Sequence, residues 1–98
     1  MLNSKERAKL RSLASTADTI IMIGKSGVTE NVIKETENAL RARELVKGKV
    51  LESALLTSRE AVAVLSEACG AEPVQAIGSK FVLYRENPDI PEEKRIKL

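Results

Sequence analysis

Ile20-Ile21-Met22-Ile23-Gly24-Lys25-Ser26-Gly27-Val28-Thr29-Glu30-Asn31-Val32-Ile33 decides how this chain is read. The β-branched apolar run from Thr19 to Ile23 predicts a buried strand. Two glycines three positions apart follow, with a cation and a hydroxyl between them. Thr29 is a natural N-cap, and Glu30 suits the positive end of the helix it opens. The order is strand, bare-backbone loop, helix.

Upstream, Asn3 and Glu6 have capping-box spacing, and Leu10, Leu13, Ala14 and Ala17 recur at helical period. A helix over about 4–16 is expected, with Lys5, Arg7, Lys9 and Arg11 on its outer face. Downstream, the helix opened by Thr29 runs over about 30–43 and turns Val32, Ile33, Thr36 and Leu40 inward. Glu30–Lys34 and Glu37–Arg41 are i,i+4 pairs on its exposed side. Leu45 to Glu52 predicts a second strand, with Lys47 and Lys49 on one face and Val46, Gly48 and Val50 on the other. Gly48 predicts a local irregularity there.

Thr57 and Glu60 form a second capping box. Ala61, Val62, Leu65, Ala68 and Cys69 line the third helix, and Gly70 ends it. Val74–Ile77 and Lys80–Arg85 are strands joined by Gly78-Ser79, a type II′ turn with glycine first. From Asn87 the text turns to proline and charge, which predicts a mobile, partly helical tail over 87–98. The order α-β-α-β-α-β-β makes 1–86 a single compact α/β domain, a four-stranded mixed sheet packed with helices.

Composition excludes several kinds of chemistry. The chain has 98 residues and no histidine, so the commonest general base and metal ligand are missing. One cysteine, Cys69, rules out an internal disulfide, and its place on the apolar side of a helix makes it a small buried hydrophobe. No metal or other cofactor and no catalytic residue is expected. No apolar run is long enough to span a bilayer, and no signal-peptide pattern opens the chain. A cytoplasmic protein is expected, with no membrane partner. Phe81 and Tyr84 are the only aromatics, too few for a platform on which single-stranded bases stack.

Gly24-Lys25-Ser26 resembles the end of a nucleotide-binding P-loop, but that pattern needs a glycine where Thr19 stands. A dinucleotide fingerprint fails for want of a third glycine. A short G-x-x-G clamp fits better. Without Cβ atoms at either end, a sugar-phosphate backbone can approach the main chain, and the N–H groups of the helix start point the same way.

Several ordered motifs place this loop in context. Ile23-Gly24-Lys25-Ser26-Gly27-Val28-Thr29-Glu30 is followed by Asn31-Val32-Ile33, then by Glu44-Leu45-Val46-Lys47-Gly48-Lys49-Val50. Val74-Gln75-Ala76-Ile77-Gly78 and Phe81-Val82-Leu83-Tyr84-Arg85 close the domain. Together they resemble the CRM (chloroplast RNA splicing and ribosome maturation) domain, in its stand-alone bacterial YhbY-type form. The resemblance implies a fold similar to the C-terminal domain of bacterial translation initiation factor three. It also implies RNA binding and association with precursors of the large ribosomal subunit.

The RNA-binding residues expected on this basis are Gly24, Lys25, Ser26, Gly27 and the cap Thr29, with Arg41, Arg43, Lys47 and Lys49 as a basic surface beside them. Lys5, Lys9, Lys80 and Arg85 are weaker candidates. Net charge is only +2, so the distribution of cations carries this expectation rather than their sum. The partner expected is large-subunit ribosomal RNA, bound by a monomer with no small-molecule substrate. The alternative is a module that binds ribosomal proteins or assembly factors.

Overall fold

A computed structural model describes residues 2–98. Helix α1 spans Ser4–Ala14, strand β1 Thr19–Ile23, helix α2 Glu30–Arg43 and strand β2 Leu45–Val50. Helix α3 follows at Ser58–Cys69, then β3 at Glu72–Ile77 and β4 at Lys80–Tyr84. The predicted order holds, and the caps explain why the boundaries lie where they do. Asn3 and Glu6 close a reciprocal box at α1, Thr57 and Glu60 do the same at α3, and the Thr29 hydroxyl accepts from the Val32 N–H at α2. Gly70 ends α3 in the left-handed region at φ 62. Gly78 has φ 58 while Ser79 does not share that region, which fits the II′ hairpin.

The sheet order is β1-β2-β4-β3. β1 and β2 are parallel and joined by α2; β4 is antiparallel to both its neighbours. Helices α2 and α3 cover one face, where Ile21, Ile23, Leu40, Val46, Leu65 and Phe81 make the main core. Helix α1 covers part of the other face through Leu10 and Ala14, packed on Val74, Val82 and Tyr84. Among the described residues no helix is long and apolar enough to cross a membrane.

Four sequence expectations change here. β1 is an edge strand rather than a buried one, and Met22 is 56% exposed. Gly48 leaves β2 itself unbroken; the irregularity falls on its neighbour, where the β1 register shifts between Thr19 and Ile21 opposite Lys47 and Gly48. Gly48 sits opposite Phe81 on the core face, and a Cβ there would lie 2.2 Å from the ring. The glycine is what lets the ring cross the strand. Arg7 leaves the outer face of α1, because it lies one turn from Leu10 and shares a cleft with Arg59, Val62 and Val74. The tail is tied to the body. Glu44 is buried, and its carboxylate accepts the Asn87 N–H at 2.8 Å and the Ile96 N–H at 2.9 Å. A short 3₁₀ turn, Glu92–Lys94, lies between those two points.

Candidate nucleic-acid interface

The register of the sheet separates the candidate residues into two groups. Ile23, Val50, Lys80 and Ile77 lie at one end of it; Leu45, Tyr84 and Glu72 lie at the other. The 24–27 loop leaves the first end. It is a β-turn, closed by the Gly27 N–H donating to the Gly24 carbonyl at 3.0 Å. Lys25 and Ser26 keep ordinary negative φ at its exposed tip, and Gly27 follows at φ 71. The Lys25 and Ser26 N–H groups donate to no other part of the described chain.

The two glycines differ in kind. Gly27 is needed by the backbone, since φ 71 strains any other residue. Gly24 is not. Its φ is ordinary, and a Cβ would meet only Leu51 at 3.7 Å and Ser53 at 3.9 Å, both comfortable contacts. The fold tolerates a methyl group there, so the missing Cβ leaves an approach open to something outside the chain.

Lys49 and Lys80 lie on the same end of the sheet, directly opposite each other in the β2–β4 register. Neither has an ion-pair partner among the described residues. Like charges face to face across strands weaken a sheet. Lys47 points to the same face, two register pairs further in, and its Nζ donates to the Ala14 carbonyl at 3.1 Å. It therefore anchors the last turn of α1. β2 is an interior strand, so these lysines do not guard a sheet edge against other chains.

Other expected members fall outside this surface. Arg41 and Arg43 occupy the last turn of α2, about 20 Å from the loop at a rise of about 1.5 Å per residue. They do not form a continuous basic surface with it. Arg41 pairs with Glu37 at 3.2 Å. Arg85 is turned inward: its guanidinium binds Glu37 and donates to the Cys69 carbonyl at 2.7 Å, joining α2 to the end of α3. That partner holds the Glu37 carboxyl below its ordinary range. Burial pushes the Cys69 thiol up, as befits a core residue. Lys5 and Lys9 lie on α1, and Lys9 donates to the Lys97 carbonyl of the tail. Tyr84 is buried under α1 and is no stacking ring. Thr29 acts through its cap, which aims the helix start at the loop.

Arg11 is a cation that the sequence reading left as an ordinary outer-face residue. It lines a groove of about 430 Å³ with Lys47, Lys80, Gln75, Ile77 and Val82. The packing of α1 across the registered strands β2, β4 and β3 brings these residues together, and no local spacing shows it.

The fold and this surface define a small three-layer α/β domain that presents a bare-backbone corner at a cationic sheet end. The chain belongs to the CRS1/YhbY (CRM) domain family, whose family model matches residues 2–85. It is 38% identical over 98 residues to "Probable RNA-binding protein YqeI" of Bacillus subtilis, covering all of this chain and 99% of that one. A Haemophilus influenzae RNA-binding protein is 36% identical over 97 residues, covering 99% of this chain and 94% of its own length. The solution structure of hypothetical protein SAV1595 from Staphylococcus aureus superposes with a TM-score of 0.78 at 44% identity. It covers 94% of this chain and 96% of that one.

Proposed function

We propose that this protein is a non-catalytic RNA-binding module that grips the sugar-phosphate backbone of structured RNA with the 24–27 turn. Lys25, Lys49 and Lys80 extend the grip across one end of the sheet. Two relatives that span nearly the whole chain carry names of RNA-binding proteins. The observation that carries the reading is Gly24, a glycine that neither backbone angle nor packing requires. The open N–H groups of the turn and the unpaired lysines supply donors and charge of the right sign. The RNA we propose is large-subunit ribosomal RNA during assembly, on the strength of the family resemblance, and the module works as a cytoplasmic monomer.

Purified protein titrated against a structured ribosomal RNA fragment tests this. Affinity falls with salt, with a log–log slope of roughly 0.7–0.9 per phosphate contacted. Replacing Lys25 and Ser26 together by Asp abolishes most of the binding and leaves the melting temperature within a few degrees of wild type. Salt-independent binding, or loss of folding in step with loss of binding, contradicts the proposal.

A second reading, docking to a ribosomal protein or assembly factor, is favoured by Leu55, which is 97% exposed in the loop between β2 and α3. Nuclease treatment separates the two. Co-sedimentation with ribosomal particles vanishes for an RNA binder and survives for a protein binder.

A further inference from the structure

The end of the sheet that carries the loop is only half covered. The register aligns Met22, Lys49, Lys80 and Ile77 as one row across all four strands, on the face that α1 covers elsewhere. Helix α1 stops short of this row, and the space between them is the groove beneath Arg11 and Ser12. Ile77, at the end of the row, is 64% exposed, and Val82 behind it closes the floor. The lining includes Arg11, Lys47 and Lys80 and no carboxylate. Gln75 and Ser12 add amide and hydroxyl groups at the walls. The groove is therefore apolar at its base, cationic at its rim and able to hydrogen-bond from its sides. Its volume falls within the range of pockets that hold small organic groups.

We propose that this groove receives one unpaired nucleotide of the RNA held by the 24–27 turn. This rests on the RNA-binding reading above and adds to it a second subsite with its own chemistry. The face of the base lies on Ile77 and Val82, its edge meets Gln75 and Ser12, and its phosphate sits between Arg11 and Lys80. Charge complementarity selects the occupant: an anionic, flat, partly apolar group matches every wall. The opposed Lys49 and Lys80 lie at the rim of the same place, where an anion between them offsets their mutual repulsion.

Two RNA probes test the subsite, a blunt duplex and the same duplex with a single bulged nucleotide. Wild type prefers the bulged probe by about tenfold, the order expected from burying one base face on aliphatic side chains. The variant Gln75→Ala/Ile77→Thr keeps the net charge and a β-branched residue in β3. It binds the duplex within about twofold of wild type and loses the preference for the bulge. Gly24→Ala weakens both probes by the same factor and keeps the preference. If wild type shows no preference, or the double variant retains it, the groove holds no nucleotide. If instead an acidic peptide binds and the double variant releases it, the groove is a protein site and the assignment falls. If wild type binds neither probe, the RNA reading itself fails, a result distinct from all the others.

Discussion

At Gly24 a methyl group is free of clashes, and at Gly48 it is not; the contrast assigns the two glycines opposite jobs. Gly24→Ala is expected to melt close to wild type and to bind RNA at least about tenfold more weakly, because a Cβ stands where the phosphate backbone must approach. Gly48→Ala is expected to lose about 3 kcal/mol in urea titrations. The ring of Phe81 is fully buried and cannot move aside without strain. The sequence showed both glycines but could not tell them apart, since only the cross-strand partner of Gly48 explains it. Glu44 is a third such residue. It holds φ 65, where glycine is usual, and offsets that strain with two tail N–H groups on its carboxylate. Glu44→Ala keeps the strain and loses both bonds, so a loss of about 3 kcal/mol is expected. Glu44→Gly also loses the bonds but relaxes the backbone, and should be about 1 kcal/mol the milder change in the same titration.

Helices and strands were legible where a cap or a period fixes them. The Thr29 cap and the inward Thr36 and Leu40 define α2 over the 30–43 read from the sequence. Strand position was less legible, because an apolar run such as Thr19–Ile23 looks alike at an edge and in the centre. The long-range ion pair was hidden for the same reason: Glu37 has Arg41 one turn away in sequence and Arg85 beside it in space. That pair joins α2 to β4 and the end of α3. The Arg85 hydrogen bond lowers the Glu37 carboxyl in the folded state, so the pair stabilises above the unfolded value near 4.5 and fades as pH drops through the folded one. Arg85→Ala is expected to lower stability by about 1–2 kcal/mol at pH 7. The gap between variant and wild type then narrows below pH 4.5, as read from urea midpoints across pH. A gap that holds its size into acid would assign the effect to the Cys69 carbonyl contact instead.

Across the whole molecule, the architecture was legible and the interface only in part. The loop and Lys25 were found from their own short stretch. Arg41 and Arg43 were grouped with it by neighbourhood in sequence, and a helix of about four turns carries them away. Arg11 went unnoticed because its neighbours come from β2, β3 and β4. The cations that remain together lie at one sheet end, and Leu2 and Leu98, the first and last described residues, lie at the other. Leu2 and Leu98 line a common cleft beside Tyr84, and the tail that brings Leu98 there is clasped by Glu44. A short peptide joining head to tail would therefore close this backbone into a ring with the glycine corner still facing outward. By the same geometry, a bead or chip attached beside Leu2 or Leu98 presents that corner to solution.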